Sequence, residues 1–384
     1  MEPKSVRAMY AFSGDPITYG HVDVVKRAAG MFSDLIVGIG VNPDKKYTFS
    51  LDERLEMAQR TLTGIPNVTV LAFKGLLIDY ALEEGVDFVV RGFRSASDIE
   101  YEMNIIRANR SQWDNVDVCF LPANDSKVHI SSSTTKNLQK EQGDVHNYVT
   151  SYVKQRLEER VSEQYVLGIT GTMGAGKSYV GDKFVELGKS RGVNVHNVDL
   201  DKIGHQILGE LMNPFYIETR KKIVDAFGPI VRRTDGFIDR KELGKIVFND
   251  KDALHTLDEI MYEPMLLRTK REMHGKKGLI LLNAALLAEA NWSYLCNHNS
   301  VLVNCDKASQ VRRLKSRGLS DEQLERRVAS QYDFDKKKKT LQEAMARDNN
   351  GTIIEIDNSD GMDNIENAFE QVIQALGVKN VPAK

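Results

Sequence analysis

Gly171-Thr172-Met173-Gly174-Ala175-Gly176-Lys177-Ser178 follows the apolar run Tyr165 to Thr170 and precedes a segment with helical patterning. The spacing G-x-x-x-x-G-K-[ST] between a strand and a helix is that of a phosphate-binding loop and commits this part of the chain to an α/β fold. Its glycines let the backbone curl so that successive N–H groups face one point, and the next helix turns its positive N-terminal end on the same point. Lys177 then reaches the β- and γ-phosphates of ATP, and the Ser178 hydroxyl ligates Mg²⁺.

Working outward, Val193 to Val198, Leu279 to Asn283 and Ser300 to Asn304 read as further strands after the loop. Before it, Asp34 to Val41, Val68 to Phe73, Asp87 to Arg91 and Val116 to Leu121 are predicted strands, while Leu51 to Leu62 and Leu76 to Glu84 carry apolar residues at helical spacing. Both series have the βαβ rhythm of a mainly parallel sheet with right-handed crossovers. Between them, Tyr148, Val149, Tyr152, Val153, Leu157 and Val161 lie three or four apart within His146 to Gln164, which predicts a terminal helix at the seam. A chain of 384 residues suits two cores, so two α/β domains are expected, 1–161 and 162–384.

A hydrophobic share of 41% beside 28% charged residues marks a globular chain rather than a disordered one. The net charge of -2 gives no general hold on a polyanion, which argues against nucleic acid as a partner and makes any phosphate binding local. Apolar stretches such as Leu279 to Leu287 are interrupted and fall short of a membrane span, and Met1 to Tyr10 lacks the features of a signal peptide. A cytoplasmic protein is therefore expected. Cys119, Cys296 and Cys305 form no Cys-x-x-Cys pair and are read as core residues, and Lys336 to Lys339 as a solvated helix face.

The phosphate loop identifies a nucleotide user, and the residues after it indicate the acceptor. Val195-His196-Asn197-Val198-Asp199-Leu200-Asp201 ends a strand in two carboxylates, where open α/β sheets place their ligands. Asp199 is the candidate base for an attacking hydroxyl, or a partner of Mg²⁺, and Asp201 reads as a helix cap. Gln310 to Arg317 concentrates cations that are suited to charge developing on a transferred phosphoryl group.

In the first domain, Ser13-Gly14-Asp15-Pro16-Ile17-Thr18-Tyr19-Gly20-His21 opens a helix. Gly20 admits a nucleotide close to the backbone, and His21 can hydrogen-bond a phosphate that becomes pentacovalent. Arg91-Gly92-Phe93-Arg94 follows a strand, and Ile130-Ser131-Ser132-Ser133-Thr134 precedes a helix, with hydroxyls and N–H groups for a triphosphate. Lys45 and Lys46 add cations at the same end of the sheet.

On Asp15 to His21, Lys45-Lys46, Arg91-Gly92-x-Arg94, Glu100-Tyr101-Glu102-Met103, Ile130 to Ser133 and Gln142-Gly143-Asp144-Val145, the stretch from Val6 to about Leu157 resembles phosphopantetheine adenylyltransferase. On Gly171 to Ser178, Asp199, Ile238 to Gly244, Leu286-Leu287-Ala288-Glu289, the Gln310/Arg313/Arg317 helix and Ile354 to Asn358, the stretch from Tyr165 to about Val378 resembles dephospho-coenzyme A kinase. The fold implied is a Rossmann-like nucleotidyltransferase domain followed by a P-loop kinase domain. The resemblances imply adenylyl transfer from ATP to 4′-phosphopantetheine, then phosphorylation of the ribose 3′-hydroxyl of dephospho-coenzyme A, with Mg²⁺ as cofactor. They place Ser13, Thr18 and Lys45 on the acceptor phosphate, and Gly20, His21, Arg91, Gly92, Arg94, Glu102, Ser131, Ser132 and Ser133 on ATP. In the second half, ATP falls to Gly171 through Ser178 with Asn358, Asp199 is the base, and Arg317 meets the phosphates. A homo-oligomer built through the first domain is a further expectation from the resemblance. Two other readings stay open: a C-terminal half that only binds ATP or assembles, and a nucleotidyltransferase for another acceptor such as nicotinamide mononucleotide.

Overall fold

Strand β1 (Arg7–Phe12) is buried along Ala8 to Ala11 on both of its faces, which requires cover on each side. Ala8 and Tyr10 pack toward one core, and Met9 and Ala11 toward another, following the alternation of a strand. The chain continues as α1 (Tyr19–Ala29), β2 (Asp34–Ile39), α2 (Leu51–Leu62), β3 (Val68–Ala72), α3 (Leu77–Glu83), β4 (Phe88–Phe93), α4 (Ala96–Arg110), β5 (Asp117–Pro122), α5 (Ser132–Lys140) and α6 (Ser151–Leu157). The strands form a parallel sheet in the order β3-β2-β1-β4-β5. Helices α1, α2 and α6 cover the Tyr10 face, and α3 covers the Met9 face. Strand order reverses between β1 and β4, so the crevice beyond their carboxyl ends is the natural ligand site.

The computed structural model describes residues 6–111, 116–316, 331–359 and 364–379. These fall into two compact units, Met1–Val161 and Ser162–Lys384. The terminal helix of the first unit starts at Ser151, later than the apolar spacing from His146 suggests. Asp144 accepts the His146 N–H at 3.2 Å, a local side-chain turn that competes with helix at this point.

In the second unit all residues of β6 (Gln164–Gly171) are buried, as befits the central strand of the sheet. It is followed by α7 (Lys177–Ser190), β7 (Val195–Asp199), α8 (Leu200–Gly209), α9 (Pro214–Phe227), α10 (Arg240–Val247), α11 (Lys251–Met273), β8 (Gly278–Asn283), β9 (Asn299–Asn304), α12 (Lys307–Lys315), α13 (Phe334–Asp348), β10 (Thr352–Asp357) and α14 (Ile365–Leu376). This sheet is also parallel, in the order β10-β9-β6-β8-β7. Phe184 of α7 and Phe369 of α14 pack on the Leu167 face, while α8, α9 and α11 cover the Val166 face. A smaller core of Ile223, Val231, Ile238, Leu243 and Val247 lies among α9 to α11. Cys296 is buried, whereas Cys119 and Cys305 are partly buried against the cores.

Candidate active sites

Beyond the carboxyl ends of β1 and β4, a cavity of about 1010 Å³ is lined by all the residues expected on the acceptor phosphate or on the first ATP: Ser13, Thr18, Gly20, His21, Lys45, Arg91, Gly92, Arg94, Glu102, Ser131, Ser132 and Ser133. His21 stands in the first turn of α1, and its Nδ1 accepts the Thr18 backbone N–H at 3.1 Å. That bond leaves Nδ1 without a proton, so the neutral ring carries it on Nε2. Burial first, then the positive charges of Arg94 and Lys45, push the imidazole down to about 4. Phe12 stacks on the ring with centroids 4.4 Å apart. His21 is thus held as a neutral hydrogen-bond donor.

Gly20 is closely packed: a Cβ there would lie 3.1 Å from the Ile130 carbonyl oxygen. Gly92 is similarly hemmed in by Val24, at 3.1 Å from a Cβ. Arg91 pairs with Glu102, Nε to Oε2 at 3.1 Å, with both side chains largely buried. Arg94 pairs more openly with Asp98 at 3.5 Å. Ser131 caps α5 by accepting the Thr134 N–H, and the Ser132 hydroxyl donates to Pro16 O at 2.8 Å. The serine run expected to supply hydroxyls to a triphosphate spends two of them on its own fold, so its offer to an anion is the N-terminal end of α5.

Three residues not assigned a role from sequence hold this crevice together. Asp15, buried, accepts the N–H groups of Thr48 (3.1 Å) and Phe49 (3.0 Å) and pairs with Lys136 at 2.6 Å. Arg54, also buried, donates to the carbonyl oxygens of Ser13 and Gly40. The motif from Ser13 to His21 and the loop bearing Lys45 are therefore joined through backbone groups. No local pattern signals Lys136 or Arg54, because their partners lie far away in sequence.

In the second unit the phosphate loop is clamped through its carbonyls. Gln310 Nε2 donates to Met173 O at 2.7 Å, Asn358 Nδ2 to Ala175 O at 2.8 Å, and Arg313 Nη2 to Asn358 O at 2.7 Å. With carbonyls engaged on this side, loop N–H groups are available to phosphate oxygens. Gly171 must be glycine, since a Cβ would sit 2.1 Å from Val303 O, and Gly176 has φ +91 with Asn358 Nδ2 2.2 Å from a Cβ. Gly174 also adopts a positive φ, +79. The Lys177 ammonium lies 3.3 Å from both Gly171 O and Thr172 O, folded over the loop, and Ser178 is exposed in the first turn of α7. Arg313, expected with its helix to meet transferred charge, also braces the loop, its Nη1 donating to Ala175 O at 3.3 Å.

The two carboxylates exchange expected roles in part. Asp199, not Asp201, caps α8, accepting the Lys202 N–H at 2.9 Å. The cap falls two residues earlier because the backbone is still extended at Asp199. Asp201 reaches the surface as a residue, yet its carboxyl is pushed up, chiefly by burial, with Asp199 adding to the rise and Lys177, His205 and the Ala285 N–H opposing it. Arg317 lies outside the described residues. Among the described residues no helix is long and apolar enough to cross a membrane, and no three His, Cys, Asp or Glu side chains group as metal ligands.

Residues 13–138 match the family described as cytidylyltransferase-like, and residues 165–355 match dephospho-CoA kinase. The phosphopantetheine adenylyltransferase of Petrotoga mobilis is 42% identical over 154 residues, which are 40% of this chain and 95% of that protein. That of Pseudarthrobacter chlorophenolicus is 44% identical over 152 residues, 39% of this chain and 91% of its own length. The Methylobacillus flagellatus enzyme of the same name is 37% identical over 152 residues, 40% and 95% respectively. With the crevice at the β1/β4 switch point and the clamped phosphate loop after β6, the chain belongs to the phosphopantetheine adenylyltransferase family and carries a dephospho-CoA kinase sequence fused behind it.

Proposed function

We infer that this chain makes coenzyme A from 4′-phosphopantetheine in two steps, each with its own ATP. The observation that carries the reading is the order of the two units: the product of the first reaction is the substrate of the second. That complementarity also disfavours a C-terminal half that only binds ATP.

In the first step a phosphate oxygen of 4′-phosphopantetheine attacks the α-phosphorus of ATP, the bond to the β-phosphate oxygen breaks, and pyrophosphate leaves with dephospho-CoA formed. No proton transfer is needed, so catalysis is positioning and charge stabilisation. Ser13, Thr18 and Lys45 hold the acceptor phosphate. His21, neutral, donates Nε2–H to the α-phosphate, where charge grows in the transition state. Arg91, positioned by Glu102, and Arg94 with the start of α5 hold the remaining phosphates.

In the second step the ribose 3′-hydroxyl of dephospho-CoA attacks the γ-phosphorus of ATP, ADP leaves, and the hydroxyl proton passes to a carboxylate. Asp201 fits that role better than Asp199, whose oxygen is occupied as a helix cap. A carboxyl pushed upward and facing Lys177 is a stronger base than an ordinary aspartate. Lys177 and the loop N–H groups hold the phosphates. The Ser178 hydroxyl, with the Asp199 carboxylate at the same end of the parallel sheet, offers oxygen donors of the kind Mg²⁺ takes while keeping several waters. Mg²⁺ bound there would neutralise β- and γ-phosphate charge.

Mass spectrometry of products from the full chain given 4′-phosphopantetheine, ATP and Mg²⁺ tests this reading. Wild type is expected to yield coenzyme A, Lys177→Ala to stop at dephospho-CoA, and His21→Ala to yield little of either. Wild type that stops at dephospho-CoA would remove the kinase half of the reading.

A further inference from the structure

Tyr47 follows the two cations of the loop after β2. Pro43 to Lys46 beside it are exposed, whereas Tyr47 is partly buried and lines the first-unit cavity together with Ser13, Asn42 and Lys45. Its ring lies over the Arg54 guanidinium, whose carbon is 3.9 Å from the ring centre. That stacking accounts for an aromatic residue here and would serve phenylalanine equally. The hydroxyl needs its own explanation.

The Tyr47 oxygen accepts the Asn42 N–H at 2.7 Å and stands 3.4 Å from Ser13 Oγ. A backbone N–H can only donate, so the bond to Asn42 fills a lone pair of the phenol and leaves its single proton for another acceptor. Ser13 Oγ is within reach of that proton, and among the described residues the Ser13 hydroxyl has no other hydrogen-bond partner. Having accepted from Tyr47, Ser13 turns its own proton away from the phenol, toward the cavity that both residues line. Arg54 fixes both members of the pair, since it donates to the Ser13 carbonyl oxygen and stacks on the Tyr47 ring. We propose that Tyr47 is a positioning residue for the acceptor phosphate: its hydroxyl donates to Ser13 Oγ and so commits the Ser13 hydroxyl to donate to that phosphate.

This rests on the reading of Ser13 as a ligand of the acceptor phosphate. A serine hydroxyl rotates to offer either its proton or a lone pair, and a lone pair turned on a phosphate dianion repels it. The phenol removes that choice, and the bond it donates polarises the Ser13 O–H so that it donates more strongly in turn. A span of 3.4 Å is long for two hydroxyls. An anion that draws the Ser13 proton forward is expected to shorten it, as bonds in an active site tighten when substrate binds. No proton leaves either group, so the effect is on binding, and its loss falls on KM rather than on kcat.

The test follows pyrophosphate release by the full chain with 4′-phosphopantetheine, ATP and Mg²⁺, in wild type, Tyr47→Phe, Ser13→Ala and the double variant. Tyr47→Phe keeps the ring over Arg54 and removes only the hydroxyl. It is expected to raise KM for 4′-phosphopantetheine about fivefold, with kcat and KM for ATP within about twofold of wild type. Added to Ser13→Ala, where no hydroxyl is left to direct, the same change should raise KM by less than about twofold. Inhibition by pantetheine, which lacks the phosphate, should be equally strong in wild type and Tyr47→Phe. A tyrosine that only braces the loop through Asn42 would cost as much in the Ser13→Ala background and would weaken pantetheine too, and either result overturns the proposal. An impaired Ser13→Ala beside an unaffected Tyr47→Phe removes the positioning role alone. Wild-type KM in Ser13→Ala removes the reading of Ser13 and the positioning role together, and a wild type that releases no pyrophosphate removes the adenylyl-transfer reading beneath both.

Discussion

Lys136 Nζ lies 2.6 Å from Asp15 Oδ2, joining the first-unit motif to α5 while Asp15 also holds the backbone N–H groups of Thr48 and Phe49. The pair sets where the Lys45 loop stands relative to His21. Lys136→Met leaves a buried carboxylate with fewer partners and is expected to cost about 2 kcal/mol, less than a wholly buried pair because Lys136 retains some exposure. The KM for 4′-phosphopantetheine should rise about tenfold, with the kinase reaction on added dephospho-CoA unchanged. Denaturant unfolding and separate assays of the two steps check both effects.

His21 makes the first unit acid-sensitive in a defined window. Its folded value is about 4 against an ordinary 6.5, so between those values the unfolded chain binds a proton that the folded chain does not. Stability contributed by neutral His21 is therefore full above 6.5 and falls as pH drops toward 4. His21→Asn removes this dependence, and wild type should lose roughly 1–3 kcal/mol more than the variant across the window. Pyrophosphate release by wild type should show no inflection near 6.5 attributable to this ring.

Close approach, not only loop flexibility, dictates glycine in the phosphate loop. Gly171→Ala would place a methyl 2.1 Å from Val303 O, a rigid backbone atom. Loss of about 3 kcal/mol or more and of ATP binding to the second unit is expected. Gly209→Ala is the matched control, since nothing lies within 4 Å of its added Cβ. Thermal unfolding should place that control within about 1 kcal/mol of wild type.

The division of labour between Asp199 and Asp201 is separable by conservative change. Asp199→Asn keeps a capping oxygen and should cost only a few tenths of a kcal/mol, whereas Asp199→Ala should cost about 1 kcal/mol. Asp201→Asn should lower kcat for dephospho-CoA phosphorylation by roughly 10² to 10⁴, with little change in stability. A larger kcat loss in Asp199→Asn than in Asp201→Asn would reverse the assignment made here.

Elements with strong local signals stand where sequence reading puts them. Leu51–Leu62 matches the predicted helix end to end, because Ser50 and Glu53 form a capping box at its start and the apolar spacing runs through it. Strands such as Gly278–Asn283 are continuous apolar runs, as parallel strands covered on both faces must be. The terminal helix starts later than its apolar spacing suggests, at Ser151, because the Asp144 turn outcompetes that spacing.

The sequence by itself determined the two parallel-sheet units, the phosphate loop and the T-x-G-H motif, because each rests on residue types at short spacing whose backbone chemistry is local. Only the tertiary structure decided that Asp199 is the cap, that Ser132 serves Pro16, that Lys136 meets Asp15 and that one lysine of the Lys336 to Lys339 run is buried beside Ala285. Those outcomes depend on partners tens to more than a hundred residues away, or on which of two adjacent carboxylates meets the helix start. Burial and direction of a polar side chain are set by packing across elements, which residue spacing along one segment does not encode.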